Sequence, residues 1–200
     1  MTLYLIRHGR TDWNDLNYIQ GKHDIPLNST GIAQAHSLAG HIRSQGINIS
    51  HIYTSHLKRA YQTANILSGE LNIPFDILPG LEEVDLGEWE GRTWHEVKEL
   101  FPTTYNEWYL NRRYTKSTGG ESYNDMLIRV VAALTKLTAS CGDSVAVVTH
   151  SAVIMALMCF LNDVPFEQML DYKVRNTSVT AIDDTFFKNN ATRFQKSCLL

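Results

Sequence analysis

The run Leu3-Tyr4-Leu5-Ile6-Arg7-His8-Gly9-Arg10-Thr11 decides the fold. Leu3–Ile6 is apolar throughout, without the alternation of a half-exposed strand. Such a run reads as a short strand covered on both faces, as in a parallel sheet with helices above and below. It ends at Arg7-His8, and Gly9 breaks it. In α/β folds ligands gather at the carboxyl ends of such strands. A histidine held beside fixed positive charge is a poor proton acceptor but a usable nucleophile toward an anion, and the pairing points to phosphate.

Strand and helix signals alternate outward from this stretch. Ser29 or Thr30 is expected to cap a helix with Ile32, Ala35, Leu38, Ala39 and Ile42 on one face and Gly46 at its end. His51–Thr54 reads as a strand, and residues 57–71 as a helix stopping before Pro74. Phe75–Leu78 reads as a strand, residues 122–139 as an amphipathic helix, and Ser144–Thr149 as a second buried strand with the helix Ala152–Leu161 behind it. Late strands are expected at Ser178–Ile182 and Arg193–Gln195. The pattern predicts a three-layer α/β/α sandwich, with a mostly parallel central sheet and helices on both faces. No repeat or linker divides the chain, so residues 1–200 are expected to form one domain. Residues 84–121 interrupt the alternation. They are polar and aromatic, with weak helical signals at Trp94–Leu100 and Asn106–Asn111, and read as a cap-like insertion over one end of the sheet.

Bulk composition excludes several classes. Two hundred residues are ample for a single core, and 44% hydrophobic with 20% charged residues is ordinary for a globular protein. A net charge of −3 gives no footing for nucleic acid or an anionic membrane. Attraction for an anion must come from a local cluster of arginines. The three cysteines, Cys141, Cys159 and Cys198, form no metal spacing and read as reduced thiols. No signal segment is visible, and the apolar run Ala152–Leu161 is too short to span a bilayer. A cytoplasmic protein, a monomer or homodimer, is expected.

Two histidines, His8 and His150, end the two buried strands, and Arg7 accompanies the first. Arg59 lies in the first turn of the helix over residues 57–71, where backbone N–H groups favour anions. Singly, each is an ordinary core or surface residue. Together they make the walls of one phosphate pocket, for which the planar fork of arginine is suited. Two histidines and a glutamate would also suit zinc, but Arg7 and Arg59 would repel a dication, so no metal site is expected. Walker, GxGxxG and GxSxG motifs are absent, and no cofactor is called for.

These residues resemble the histidine phosphatase superfamily, the phosphoglycerate-mutase-like family. The Arg7-His8-Gly9 signature is in step with Thr11, Trp13 and Asn14. The likeness continues through Gln20-Gly21, Asp24, Pro26-Leu27, Gly31 and Gln34-Ala35, then Ser55, Leu57, Arg59-Ala60 and Gln62-Thr63-Ala64. It closes with Leu81-Glu82-Glu83, Gly87, Trp89-Glu90-Gly91, Gly119-Gly120-Glu121-Ser122 and Val148-Thr149-His150. The resemblance implies a phosphomonoester hydrolase with a phosphohistidine intermediate. His8 would attack phosphorus, and Arg7, Arg59 and His150 would hold the phosphoryl oxygens. Asn14 and the backbone N–H of Ser151 would add donors, with Gln20 and Gly21 at the pocket. Glu83 would protonate the leaving oxygen, chosen over Glu82 because the family pattern places Gly87 four residues beyond it.

Arginine neighbours are expected to lower the pKa of His8, a bound phosphate to keep His150 protonated, and desolvation to keep Glu83 partly protonated. Two departures from the family are visible: Arg10 where many relatives carry an acid, which would either face solvent or add positive charge at the pocket rim toward the substrate, and Ser151 where many have glycine.

The length and short insertion look phosphatase-like, acting on a small phosphorylated metabolite, with α-ribazole phosphate or a sugar phosphate as candidates. The alternative is a cofactor-dependent phosphoglycerate mutase, kept open by the adjacent Arg112 and Arg113, which would meet a second anionic group or form a solvated face with Lys116. A binding module without catalysis is disfavoured, because Arg7, His8, Arg59, Glu83 and His150 are all present. The aromatics Trp89, Trp94, Trp108, Tyr105, Tyr109, Tyr114 and Tyr123 would either stack a ring or form a satellite core.

Overall fold

The computed structural model describes residues 1–188. Strands β1 (Thr2–Arg7), β2 (His51–Thr54), β3 (Phe75–Ile77), β4 (Val145–Thr149) and β5 (Val179–Asp183) form one sheet in the order β3-β2-β4-β1-β5. β1 to β4 run parallel, and β5 pairs antiparallel with β1. The helices are α1 (Asp12–Asp15), α2 (Ser29–Ser44), α3 (Lys58–Leu71), α4 (Trp94–Leu100), α5 (Pro102–Leu110), α6 (Tyr123–Ser140) and α7 (Ser151–Leu161). Short 3-10 turns cover Gly87–Trp89 and Phe166–Tyr172. The expected strand at Arg193–Gln195 and the residue Cys198 lie outside the described residues.

The period of a strand divides the core into two. Leu3, Leu5, Val145 and Val147 face one side with α6 and α7, whereas Ile6, Ile52, Ala146 and Val148 face the other with α2 and α3. The result is the three-layer α/β/α arrangement. The apolar helix α7 is a core helix, buried through Ala152–Leu157 and at Cys159. Among the described residues no single helix is long and apolar enough to cross a membrane.

Most boundaries differ from the expectation by a residue, and two of the differences have a clear physical reason. The cap of α2 is Asn28, whose extended backbone lets its side chain accept from the Gly31 N–H at 2.9 Å. Asparagine, serine and threonine cap about equally well, so neither Ser29 nor Thr30 was distinguishable from it by residue type. Helix α5 starts at Pro102 rather than Asn106, because proline at the first helical position has its φ preset and no N–H to satisfy.

The register brings the two strand-end histidines together. Arg7 pairs with Thr149, and the His8 N–H donates to the Thr149 carbonyl at 3.0 Å. His8 and His150 therefore leave neighbouring parallel strands side by side, with ring centroids 5.3 Å apart. The loop leaving β1 is wedged against the start of α2. A Cβ on Gly9 would lie 2.6 Å from the Gly31 carbonyl oxygen, and one on Gly31 would overlap the Arg10 backbone. The Gly9 N–H also donates to Thr63 of α3 at 3.0 Å.

Gly31→Ala is therefore expected to cost about 1–3 kcal/mol by overpacking. Gly40, exposed on the same helix with open space around its Cβ position, is the contrast. Gly40→Ala is expected to stabilise by about 0.5–1 kcal/mol. Thermal melts of both variants check the pair, at about 2–4 °C per kcal/mol.

Candidate active site

One cavity of about 570 Å³ opens at the carboxyl edge of the sheet. Of the residues singled out in the sequence, Arg7, His8, Arg59, Glu83 and Ser151 line its inner part together with Asn14, Gln20 and Gly21. Arg10 and Arg112 also line it. His150 is fully buried against the His8 ring. Arg113 is not brought to the cavity. Its Nε donates to Asn124 Oδ1 at 3.4 Å, and its guanidinium lies over Tyr114 and Phe166. Arg113 thus stands apart from the residues lining the cavity, unlike Arg112, and Lys116 is tied to Asp125 at 2.9 Å.

His8 has a defined tautomer. Its Nδ1 lies 2.7 Å from the Gly9 carbonyl oxygen, which can only accept, so Nδ1 carries the hydrogen. In the neutral ring the lone pair is then on Nε2. Burial, then Arg59, then Arg7 push the His8 pKa well below 6.5. Arginine neighbours alone were expected to do this, and burial is the larger cause.

The two arginines are held by backbone oxygens. Arg59 is fully buried, and its Nη1 and Nη2 donate to the His23 and Gly21 carbonyls, each at 2.7 Å. Arg7 Nη1 donates to the Val174 carbonyl at 2.7 Å. Burial lowers the pKa of Arg59 to about 10 against the pull of Glu83, Asp24 and Glu90. The loop that grips Arg59 is fixed in turn by Glu90. One carboxylate oxygen accepts from the N–H groups of Lys22 (2.9 Å) and Leu86 (3.0 Å), and the other lies 2.6 Å from His23 Nδ1. Gly21, at φ +47°, leaves no room for a Cβ beside that carboxylate.

Neither ring nitrogen of His150 has a hydrogen-bond partner among the described residues. Burial, followed by Arg59 and His8, pushes its pKa well below 6.5. The protein's own field therefore favours neutral His150, so the protonated form expected above is one that a bound phosphate would have to stabilise. Glu83 faces the cavity, accepting from the Val84 and Ala152 N–H groups at 3.2 and 3.3 Å. Desolvation raises its pKa despite Arg59 and those two bonds. Glu82 points the other way, to His56, Arg129 and the Gly80 N–H.

Arg10 sits at the rim in an ion pair with Asp15. Arg112 is buried, with its guanidinium 4.9 Å from the Trp108 ring centre and 5.1 Å from that of Tyr109, and its Nε has no partner among the described residues. The aromatic cluster is partly core and partly cavity wall. Trp89 is core, while Trp94 and Trp108 stack at 5.2 Å and line the cavity with Tyr105, Tyr109 and Tyr123.

Among the lining residues that sequence reading missed are Lys173 and Asn176. Asn176 Nδ2 donates to the His8 carbonyl at 3.0 Å and reaches Asn14 Oδ1 at 3.3 Å. They follow a 3-10 turn with no periodicity, so spacing carried no signal for them.

The buried histidines set a pH dependence of stability. Their native pKa values lie below the unfolded value near 6.5, so the unfolded chain binds more protons as pH falls through that value. Stability is expected to drop below about pH 6.5, by up to about 1.4 kcal/mol per pH unit for each histidine. His150→Gln should flatten the slope of a urea-unfolding series between about pH 6 and 5 by one such increment.

A protein-family model, the histidine phosphatase superfamily (branch 1), matches residues 3–195. The chain is 35% identical over 182 residues to phosphoglycerate mutase-like protein 4 of Arabidopsis thaliana, covering 88% of this chain and 76% of that one. It is 30% identical to the adenosylcobalamin/alpha-ribazole phosphatase of Escherichia coli, over 92% of this chain and 90% of the relative. The solved mycobacterial glucosyl-3-phosphoglycerate phosphatase, in complex with VO3, superposes with a TM-score of 0.80 at 28% identity, covering 91% of this chain and 90% of that one. The chain belongs to the histidine phosphatase superfamily.

Proposed function

We propose that this protein hydrolyses phosphate monoesters of small metabolites through a phosphohistidine on His8. The observation that carries the reading is the His8 ring. Its Nδ1 hydrogen is committed to the Gly9 carbonyl, and Nε2 keeps its lone pair in a cavity walled by Arg7 and Arg59. Nε2 attacks phosphorus, a P–N bond forms, and the P–O bond to the alcohol breaks. Arg7, Arg59 and a ring N–H of His150 hold the phosphoryl oxygens, with Asn14, Gln20, Gly21 and Ser151 around them. Glu83 gives its proton to the leaving oxygen. It then takes one from water as that water attacks phosphorus, the P–N bond breaks, and phosphate and free His8 remain.

The relatives support a phosphatase, since two of those above are named as one. Residues 84–121 act as the cap, supplying an aromatic wall for the alcohol part of the substrate. Arg112 is the group for a second anionic substituent, as in a phosphoglycerate or a sugar bisphosphate. α-Ribazole phosphate and sugar phosphates remain the substrates to try first. Incubation with 3-phosphoglycerate, with and without 2,3-bisphosphoglycerate, separates hydrolysis from isomerisation by its product, inorganic phosphate or 2-phosphoglycerate.

His8→Ala is expected to abolish both turnover of para-nitrophenyl phosphate and the acid-labile phosphoenzyme; surviving turnover overturns the nucleophile. Glu83→Gln should lower kcat/KM on alkyl phosphates by about 10²–10⁴-fold and much less on para-nitrophenyl phosphate, whose leaving group needs no proton. Arg112→Met should raise KM for 3-phosphoglycerate by about 10–100-fold, as for loss of a charged hydrogen bond, and far more than KM for para-nitrophenyl phosphate.

A further inference from the structure

The segment that carries Glu83 has no secondary structure. Residues 81–86 follow a turn at 79–80 and precede the 3-10 turn at Gly87–Trp89. A stretch without a ladder leaves its carbonyls to be satisfied one by one. Here four successive carbonyls are held by side chains from the surrounding helices and sheet. The Leu81 oxygen accepts from Thr149 Oγ1 at 2.7 Å. The other three converge on one guanidinium. Arg129 Nη1 donates to the Gly80 oxygen at 3.0 Å and the Glu82 oxygen at 2.7 Å, and Nη2 donates to the Glu83 oxygen at 2.9 Å.

The remaining donors of that guanidinium fix it in place. Nη2 and Nε reach the two carboxylate oxygens of Glu121 at 2.6 and 3.3 Å. The same Glu121 accepts from the Asp85 N–H at 3.0 Å. Arg129 sits inside helix α6, whose start is set by the Ser122–Asp125 capping box one residue beyond Glu121. Arginine is the only side chain whose rigid planar fork addresses three carbonyls and a carboxylate at once.

We propose that Arg129, braced by Glu121, is the positioning residue of the general acid: it sets the backbone of residues 80–83 so that the Glu83 carboxyl meets the leaving oxygen. The inference rests on the role of Glu83 given above and extends it. Arg129 touches no substrate. Its effect passes through the Glu83 backbone, and a displacement of about 1 Å at a reacting group costs on the order of 10²-fold in rate. The loss therefore falls on substrates whose leaving oxygen needs a proton.

A double-mutant cycle tests this. In the parent, Arg129→Met should lower kcat/KM on alkyl phosphates such as β-glycerophosphate by about 10–100-fold. On para-nitrophenyl phosphate the loss should be much smaller, and the dependence of rate on leaving-group pKa should steepen. In the Glu83→Gln background the same substitution should cost almost nothing further on alkyl phosphates, because residues acting through one group are not additive. Equal losses on both substrates, or losses that add to those of Glu83→Gln, overturn the proposal and leave Arg129 a fold-stabilising residue. If Glu83→Gln itself shows no leaving-group preference, the assignment of the acid fails first, and that result is read before the cycle. Should Arg129→Met not fold, Glu121→Gln keeps the guanidinium but loosens its brace, and the same two comparisons apply.

Discussion

Two guanidiniums lie at the carboxyl edge of the sheet, Arg59 fully buried and Arg7 half-buried, and their Nη groups donate to backbone carbonyls rather than to carboxylates, while neither Nε has a partner among the described residues. Gly21 and His23 take the fork of Arg59, and Val174 takes Arg7. A carbonyl fills an N–H without cancelling the charge. Positive potential therefore survives in a region of low dielectric, where it acts strongly. The rest of the site answers to that field. It helps keep His8 and His150 neutral and draws Glu83 down only part of the way that burial pushes it up. The loop through residues 20–24 and the segment around Val174 supply the carbonyls that make such burial tolerable.

Much of this was legible in the sequence where chemistry and periodicity coincide. Leu3–Ile6 and Val145–Thr149 read as buried strands because nothing polar interrupts them, and parallel register did the rest by setting His8 beside His150. Arg59 was placed by its position at a helix start. What stayed hidden depends on irregular backbone. Asn176 and Lys173 follow a 3-10 turn, and the holders of Arg7 and Arg59 are carbonyls, which every residue possesses and none advertises. Arg129 carried no signal of its own within the amphipathic helix; only the path of residues 80–83 beside it reveals its targets. Arg112 and Arg113 were inseparable as neighbours, yet on consecutive positions they diverge, one over Trp108 and the other over Phe166.

The aromatic stretch resolves along its length. Trp89 closes the core under the excursion with Trp108 at 5.4 Å, edge to face. Trp94, stacked on Trp108, turns toward the cavity and remains half open to solvent at 41% exposure. The same cluster thus anchors the segment and lines part of the cavity. Such dual use is natural for indoles, which bring large apolar area on a stiff frame.

Glu90 joins parts of the chain with different tasks. One carboxylate binds the loop that grips Arg59 and the N–H of Leu86, at the root of the aromatic excursion. One carboxylate thus ties the root of the excursion to the loop that holds Arg59. Beyond it, helices α4 and α5 hang from that anchor without contributing a hydrogen bond to Arg59. The design separates tinkering from damage. On the proposed reading, substitutions at the exposed positions of α4 and α5 reshape which alcohol is accepted while leaving the phosphoryl chemistry intact, whereas changes at the buried Val97 and Trp108 or between residues 86 and 91 disturb the core or the site as well. Selection for a new substrate therefore has an open field on the two outer helices and a closed one at their base.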